Sequence, residues 1–353
     1  CSCRGSIKGR SGMLNTVYRL TGPRKIEVQF SDINLADNKI IVRPEALSIC
    51  HADQRYYQGL RPSEIMEKKL PMALVHESCG RVVFSKSKNV PKGSRVVMIP
   101  NTPVEMDEFI EENYLRSSTF RASGSDGFMQ DLIALDEDRV VVAPEGIDLD
   151  VLAFTEFVSI SYHTIKRFER FSHGRRNALG VWGDGNLAYC TALLLRYTYP
   201  NSKIYVFGTH DGKLSRFGFA DEAFKIRHIP ETLKIDHAFE CVGGENSGDA
   251  INQIIDYINP EGAIALMGVS ERNVPINTRM VLEKGLRIFG NSRSGRGDFL
   301  GVLEMYAKYP EIPRYLDTLI GNVVEISNLN DMAEAFDVDA KSRCGKTIMH
   351  WNI

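Results

Sequence analysis

The sequence has no long hydrophobic run and no strong excess of charge of either sign. Its apolar stretches, such as residues 192–195, are far shorter than the roughly 20 residues of a membrane-spanning helix, which argues against a membrane span. The 43 basic and 45 acidic residues give a net charge of -2. This balance provides no general attraction to nucleic acid or anionic membranes, so nucleic acid is not expected as a partner and any anion site must be local.

Cysteine is also scarce. Seven cysteines at irregular spacings, an odd number in 353 residues, are typical of free thiols in a reducing compartment rather than of a disulfide framework. We therefore expect a cytoplasmic protein. Residues 1–12 are basic and rich in small side chains but lack the apolar core of a signal peptide. We expect them to form a tail outside the fold, with Met13 resembling a native start.

Length and composition predict two folded domains. A chain of 353 residues exceeds the usual size of one hydrophobic core, and 43% hydrophobic with 25% charged residues is ordinary for a globular protein. Short β-type runs at residues 40–44, 80–84 and 94–100 predict a barrel-like first domain. Residues 103–121 show some helical spacing but no periodic apolar face, and we interpret them as a surface lobe.

From about residue 152 the pattern changes to alternating strands and helices. These patterns fall at residues 178–182, 187–197, 203–207, 237–241, 246–258, 263–269 and 286–290. Such alternation predicts a doubly wound parallel sheet of the Rossmann type, so the fold class is α/β. We expect residues 161–299 to form this second domain, and residues 13–160 with 300–353 to form the first.

A glycine-rich turn follows the first strand of the second domain. Gly183, Gly185 and Ala188 match the G-x-G-x-x-G/A pattern, between an apolar strand and an apolar helix. Gly183 would allow the tight turn, and Gly185 would let backbone N–H groups approach a pyrophosphate at the helix N-terminus. The pattern therefore predicts a dinucleotide site that also includes Asn186 and Leu187, although a plain glycine turn is the simpler alternative.

The next strand end indicates which dinucleotide is bound. An NAD site places an acid there to bind the ribose 2′-hydroxyl, about 20 residues after the fingerprint. Here that position is Gly208, and Thr209, His210 and Lys213 follow with groups suited to a 2′-phosphate. The pattern favours NADP(H). The alternative is that Asp211 is a displaced acid and Lys213 only a solvated residue.

Candidate metal ligands lie at the edges of apolar runs in the first domain. Cys50, His76 and Glu77 offer a thiol, an imidazole and a carboxylate, and Glu156 lies at the join between the domains. Each residue alone has an ordinary structural explanation, as a small buried side chain, a core histidine or a solvated charge. Together they suit a catalytic zinc with an exchangeable fourth position, next to a cofactor that needs an activated substrate.

These motifs resemble those of the medium-chain dehydrogenase/reductase superfamily, the zinc alcohol and polyol dehydrogenases. The resemblance extends over residues 13–353 and includes the segment 240–243. It implies a GroES-like β-barrel catalytic domain and a Rossmann domain, with zinc and nicotinamide meeting between them. It also implies that Glu77 ligates zinc directly or through water, that Asp53 orients the ligating imidazole, and that Lys346 reaches the cofactor pyrophosphate. We expect Glu77 and Asp53 to take part in catalysis.

Two departures from that family change the expected chemistry. Ala52 stands where many members carry a hydroxyl that relays the alcohol proton, so the proton must pass through a zinc-bound water and Glu77, or through His51. The lobe at residues 103–121 contains no cysteine, so the four-cysteine structural zinc of other members cannot form. We therefore expect one catalytic zinc and no structural zinc.

Within the superfamily the chain is similar to ribulose-5-phosphate reductases. The similarity lies in residues 49–50, 52–57, 97–102, 126–131, 182–187 and 292–295. It implies NADPH-dependent reduction of D-ribulose 5-phosphate to D-ribitol 5-phosphate, which feeds CDP-ribitol for teichoic acid or capsule polymers of the cell wall. It also implies a partner, a ribitol-5-phosphate cytidylyltransferase. Homodimers are common in the resembling family.

Arginines could bind the substrate phosphate. Arg55 follows the Cys50 segment, and Arg293 and Arg296 flank a Gly/Ser turn after a strand of the second domain. A guanidinium fork suits phosphate, although each could be an ordinary surface arginine, and Arg293 is the preferred candidate. Two other functions stay open: oxidation by another zinc-dependent polyol or alcohol dehydrogenase, and a binding role without catalysis.

Overall fold

The computed structural model describes residues 12–34, 39–342 and 344–353. The predicted tail lies outside these ranges except for Gly12, which begins the first strand. None of the helices in these ranges combines the length and apolarity needed to cross a bilayer. The cysteines of the same ranges are free thiols: Cys50, Cys79, Cys190, Cys241 and Cys344.

Short strands dominate the N-terminal part of the chain. They are β1 (Gly12–Gly22), β2 (Lys25–Asn34), β3 (Ile40–Ser48), β4 (Met72–Ala73), β5 (Glu77–Phe84), β6 (Arg95–Met98), β7 (Asn101–Thr102), β8 (Thr119–Phe120), β9 (Ile133–Leu135) and β10 (Val140–Val142). The helices here are α1 (His51–Tyr57), α2 (Ser63–Lys69), α3 (Leu149–Ala153) and α4 (Thr155–Phe171). The lobe at residues 103–121 is closed by the antiparallel pair β7 and β8 and contains no helix.

Strands and helices alternate over residues 178–290. The elements are β11 (Ala178–Trp182), α5 (Asn186–Thr198), β12 (Lys203–Gly208), α6 (Asp211–Leu214), β13 (Glu222–Lys225), β14 (His237–Glu240), α7 (Ser247–Tyr257), β15 (Ala263–Leu266), α8 (Thr278–Glu283) and β16 (Arg287–Gly290). The strands pair in parallel in the order β13-β12-β11-β14-β15-β16. This confirms the predicted doubly wound sheet, and β11 lies where the strand order reverses.

The C-terminal segment returns to the first domain. Its elements are α9 (Arg296–Lys308), α10 (Glu311–Asp317), β17 (Ile320–Ile326), α11 (Leu329–Lys341) and β18 (Lys346–Trp351). β18 pairs antiparallel with β3 and parallel with β17, which gives a sheet in the order β10-β6-β5-β3-β18-β17. The end of the chain therefore contributes the strand beside β3, which precedes the candidate zinc ligands.

Burial explains why these segments take these conformations. β11 is covered on both faces, and Leu179, Val181 and Trp182 are fully buried, as expected of a strand inside a parallel sheet. α4 and α9 share one apolar cluster through Phe168 and Phe299. The predicted domain limits after residues 160 and 299 fall inside these two helices, and the limits themselves stay a prediction.

Candidate active site

The end of β3 and the start of β5 bring the predicted zinc ligands together. These strands pair antiparallel, with Cys50 following β3 as the N-cap of α1 and His76 immediately preceding β5. Glu77 opens β5, and Glu156 lies in the first turn of α4. The candidate ligand atoms of Cys50, Asp53 and His76 lie within 4.8 Å of one another, and so do those of His76, Glu77 and Glu156. His76 belongs to both groups.

Asp53 holds the two ligand-bearing segments in place. Its carboxylate oxygens accept hydrogen bonds from the N–H of Cys50 at 3.1 Å and from the N–H of Val75 at 3.0 Å. Val75 has a φ of 67°, a left-handed conformation that is rare for a β-branched residue. Asp53 thus stabilises a strained turn that directs His76 toward Cys50. Its own distance to Nδ1 of His76 is 3.7 Å, an ion-pair separation rather than a hydrogen bond.

Lys346 is paired with Glu77. Its Nζ lies 2.8 Å from each carboxylate oxygen of Glu77 and donates to the carbonyl of Ile49 at 3.0 Å. Both side chains are buried, and the ammonium also lies 4.8 Å from the ring centre of Phe157. Lys346 lines the same cavity as Asn186, which follows the glycine-rich turn. Its predicted contact with the cofactor pyrophosphate stays a prediction.

The glycine-rich turn has the geometry that the fingerprint predicts. Gly183 has a φ of 132°, and a Cβ there would lie 3.1 Å from the carbonyl oxygen of Cys241, so the position requires glycine. Gly185 is the N-cap of α5, whose first N–H groups lie beside it. Asn186 donates to the carbonyl of Gly345 at 2.9 Å and so ties the turn to the end of the first domain. Leu187 lines the cavity on that side.

Thr209 and His210 are hydrogen-bonded to Asp184, inside the glycine turn. The Asp184 carboxylate accepts from the N–H of Thr209 at 2.8 Å and from the N–H of His210 at 2.9 Å. Lys213 Nζ lies 4.0 Å from the same carboxylate, and Lys213 lines a cavity of about 500 Å³ with Asp184 and Thr209. Asp211 instead pairs with Lys225 at 2.6 Å. The side chains predicted to bind the 2′-phosphate therefore lie close together, and the Asp184 carboxylate lies among them.

The two predicted phosphate-binding arginines lie in different surroundings. Arg55 forms an ion pair with Glu271 and lines a cavity of about 860 Å³ with His51. Arg293 has a φ of 60°, and its guanidinium lies 4.6 Å from the ring centre of Phe120. That ring is in edge contact with His76 at 5.3 Å, so Arg293 lies next to the candidate zinc ligands.

Comparison with known sequence families accounts for this arrangement. The alcohol dehydrogenase GroES-like domain matches residues 36–145, and the zinc-binding dehydrogenase domain matches residues 202–308. Ribulose-5-phosphate reductase 1 of Staphylococcus aureus is 54% identical over 96% of this chain and 99% of its own length. The chain belongs to the zinc-binding alcohol dehydrogenase family.

Two further relatives of this zinc-binding dehydrogenase support the assignment. Ribulose-5-phosphate reductase of Bacillus spizizenii is 51% identical over 97% of this chain and 100% of its own length. The crystal structure of S. aureus TarJ in complex with NADPH superposes with a TM-score of 0.87 and 49% identity, covering 97% of this chain and 100% of that one. The predicted fold class and the predicted family are thereby confirmed.

The donor set of the dehydrogenase fits zinc. Thiol, imidazole and carboxylate are the ligands that zinc prefers. Burial raises the pKa of Glu156 to about 7 and also raises the pKa of Cys50 and of Glu77, which Lys346 only partly offsets. The Glu156 side chain is buried beside His76 and Glu77. Crowded buried donors of this kind are stabilised in their anionic forms by a bound divalent cation.

Sequence reasoning missed two residues of this dehydrogenase site. Asp184 was seen only as a variable position of the glycine fingerprint, although an acid inside that turn is itself a signal. Val75 gave no signal in the sequence, because its strained backbone depends on two contacts made in the folded chain. The Val75 N–H donates to Asp53, and the Val75 carbonyl accepts from the Phe128 N–H at 2.7 Å. Such positions become visible only once the chain is folded.

Proposed function

We propose that this protein reduces D-ribulose 5-phosphate to D-ribitol 5-phosphate with NADPH at a single catalytic zinc, with no structural zinc. The observation that carries the proposal is its identity of 54% and 51% to two ribulose-5-phosphate reductases over nearly the whole chain. The related TarJ structure holds NADPH, and here Thr209, His210 and Lys213 surround the corresponding strand end. The product would feed CDP-ribitol for cell-wall or capsule polymers.

Cys50, His76 and Glu156 are the residues we propose as zinc ligands. When bound, zinc would polarise the ketone oxygen while NADPH supplies the hydride. Glu77 is the fourth candidate, but its charge is already neutralised by Lys346 at 2.8 Å, so we place it as a buried neighbour rather than a permanent ligand. Asp53 keeps its positioning role through its bonds to the Cys50 and Val75 backbone.

His51 is the residue we favour as the proton donor. Ala52 has no proton to give, and both oxygens of Glu77 face the Lys346 ammonium. His51 is exposed and lines the large cavity between α1 and the parallel sheet, so it can exchange protons with solvent. Proton transfer by way of the buried Glu77 is the second route.

Arg293 is the residue we propose to bind the substrate phosphate, with Arg55 as the second candidate. The guanidinium of Arg293 makes no hydrogen bond within the described part of the chain and lies over Phe120, whose ring contacts His76. Its donors are thus available to an anion close to the metal ligands. Arg55 is already engaged by Glu271.

The decisive experiment is the initial rate of NADPH oxidation by zinc-loaded protein with D-ribulose 5-phosphate, with D-ribulose, and with NADH in place of NADPH. We expect fast turnover only with the phosphorylated ketose and NADPH, with D-ribulose reduced slowly, and we expect turnover to be lost after chelation and restored by zinc. Equal rates with D-ribulose would contradict the phosphate site. Turnover of other polyols alone would support the alternative dehydrogenase. Protein that binds no zinc and reduces no ketose after zinc is supplied would support the binding role.

Partners and location are also proposed. β16 pairs only with β15 among the described strands, which leaves an edge for a homodimer, testable by light scattering. A ribitol-5-phosphate cytidylyltransferase would consume the product, and copurification of the two would test their association. We place the reaction in the cytoplasm, in keeping with the free thiols of the described cysteines.

A further inference from the structure

Arg293 lies in a turn whose backbone is held by the lobe. We define the arginine turn as residues 291–296, between β16 and the first turn of α9. Arg293 has a φ of 60°, the left-handed conformation that a side chain with a Cβ rarely adopts. Such a residue keeps this conformation only when its surroundings fix it on both sides.

Three consecutive lobe residues provide that restraint. Asn113 Nδ2 donates to the carbonyl of Ser292 at 2.9 Å, and the Ser292 N–H donates to the Tyr114 hydroxyl at 3.4 Å. On the other side of Arg293, the Arg296 N–H donates to Glu112 Oε1 at 2.8 Å. The lobe therefore binds the backbone immediately before and shortly after Arg293.

A buried histidine and aspartate extend the same network. His163 Nε2 lies 2.9 Å from the Tyr114 hydroxyl, and its Nδ1 lies 2.9 Å from Asp298, which also accepts from the Gly295 N–H at 2.9 Å. With Nδ1 donating to Asp298 and Nε2 accepting from Tyr114, every group has a consistent role. His163 and Asp298 are fully buried, which makes these hydrogen bonds costly to lose.

The side chain of Arg293 points away from this network. Its guanidinium packs over Phe120, the last residue of β8, and Phe120 contacts His76. Residues 112–114 of the lobe thus hold the backbone of the arginine turn, while the charged group lies over Phe120, at the end of the lobe next to His76.

We infer that the lobe positions Arg293 for recognition of the substrate phosphate, with Asn113 and Tyr114 as the positioning residues. The inference rests on the proposed function, because it assumes that Arg293 binds the phosphate. Asn113 fixes the peptide before Arg293, and Tyr114 links that peptide to the His163–Asp298 pair. Specificity for a phosphorylated ketose is thereby set partly by residues that do not touch the substrate.

A double-mutant cycle tests this inference. Wild-type, Asn113→Ala, Arg293→Ala and the double variant are compared by KM and kcat for D-ribulose 5-phosphate and for D-ribulose. We expect Arg293→Ala to raise the KM for the phosphorylated ketose by about tenfold or more, and Asn113→Ala by about fivefold, with kcat and the values for D-ribulose little changed. In the Arg293→Ala background, Asn113→Ala is expected to have no further effect.

Controls separate positioning from simple destabilisation. Asp107→Asn changes the same lobe at a residue whose carboxylate contacts only the lobe backbone at Phe109 and Ile110, at 2.7 and 2.8 Å, and is expected to leave all values unchanged. Tyr114→Phe keeps the ring and removes the hydroxyl, and it replaces Asn113→Ala if that variant does not fold. The NADPH dissociation constant is expected to stay constant in all variants.

The outcomes distinguish the inference from the proposed function. Full additivity in the double variant, or equal losses with both ketoses, would overturn the positioning role of Asn113. An effect of Arg293→Ala without any effect of Asn113→Ala and Tyr114→Phe would do the same and leave the phosphate site intact. If the wild-type protein reduces no phosphorylated ketose, the proposed function itself fails.

Discussion

At the residue scale, Lys213 and Asp184 decide the electrostatics of the cofactor cavity. Asp184 is held by the N–H groups of Thr209 and His210 and has a lowered pKa, since these hydrogen bonds outweigh the effect of burial. Its negative charge would repel a 2′-phosphate. Lys213, 4.0 Å away, is the nearby cation that offsets this charge.

We predict that Lys213→Ala raises the KM for NADPH by about tenfold and leaves the KM for NADH nearly unchanged, since only NADPH carries the 2′-phosphate. The difference is expected to shrink at high ionic strength, because the side chain is 30% exposed and its charge is screened. Lys225→Ala is the matched control, as Lys225 pairs with Asp211. Equal losses with both cofactors would contradict a contact with the 2′-phosphate.

Gly208 shows why single positions are hard to interpret from sequence. Its lack of an acid favoured NADP(H), but a Cβ at Gly208 would lie 2.6 Å from Cβ of Asp184, so packing requires glycine there whatever the cofactor. Cys50, His76, Glu77 and Glu156 could be found from sequence because their chemistry is unusual at apolar strand ends. The role of Asp184 could not, because it depends on which loop faces the glycine turn.

At the element scale, β14 contains a histidine that must stay neutral. His237 is fully buried; its Nδ1 accepts from the Ala263 N–H at 3.0 Å and its Nε2 lies 3.0 Å from the carbonyl of Arg175. Burial, followed by the neighbouring His173, lowers the pKa of His237 to about 4. Protonation would remove the acceptor that the Ala263 N–H uses between β14 and β15.

The parallel sheet is therefore expected to lose stability in mild acid. The folded-state pKa lies below the unfolded value near 6.5, so the contribution of neutral His237 is complete above about pH 6.5 and is lost as the pH falls toward 4. At pH 5 the loss is about 2 kcal/mol. In the wild-type protein, the free energy of unfolding falls between pH 7 and pH 5. We predict that this fall is smaller in His237→Gln, by about 2 kcal/mol.

The exposed His228 provides the control for this measurement. His228→Gln is expected to leave the pH dependence unchanged, because the His228 side chain is exposed and lies outside the buried β14–β15 contact. Metal ligands also titrate in this range, so wild-type and variant are compared under the same zinc conditions. An unaltered slope in His237→Gln would show that other groups cause the acid sensitivity.

Elements were predictable where burial imposes a pattern. The strands of the parallel sheet are apolar because helices cover both faces, and β11 and β12 fall at the predicted positions. The helical spacing in residues 103–121 was misleading, since that lobe is folded by polar contacts with segments such as residues 291–296, far along the chain. Neither helix propensity nor hydrophobic periodicity carries information about hydrogen bonds between segments so far apart in the chain.

At the scale of the whole molecule, a cavity of about 860 Å³ separates α1 from the loop that follows β15. Arg55 from α1 forms an ion pair with Glu271 of that loop, and Arg61 lies 3.7 Å from the same carboxylate. Two guanidinium groups thus face one carboxylate, which leaves an excess positive charge beside the cleft. A phosphate dianion would match this charge better than Glu271 does.

Glu271→Gln tests Arg55, the second candidate for the substrate phosphate. If Arg55 rather than Arg293 binds the phosphate, we predict that the variant lowers the KM for D-ribulose 5-phosphate by about two- to fivefold, because it frees Arg55 and Arg61 from a partly exposed ion pair; if Arg293 binds it, this KM is unchanged. The KM for NADPH is expected to stay constant. Glu245→Gln is the control, since Glu245 is almost fully exposed and, among the described residues, forms an ion pair with Arg272 alone, at 3.8 Å. A raised KM for the ketose would instead show that the ion pair holds the cleft in its productive form.

The pairing of Lys346 with Glu77 joins two segments that are far apart in the chain and are therefore synthesised at different times. N-terminal segments leave the ribosome first, yet β18 supplies both the cation that pairs with Glu77 and the strand that pairs with residues 46–48 of β3. Until residue 346 has emerged, folding the barrel would bury an uncompensated carboxylate, which is strongly unfavourable. A nascent chain that stops before that residue is thus expected to lack a formed active site, because Glu77 then has no cation to pair with.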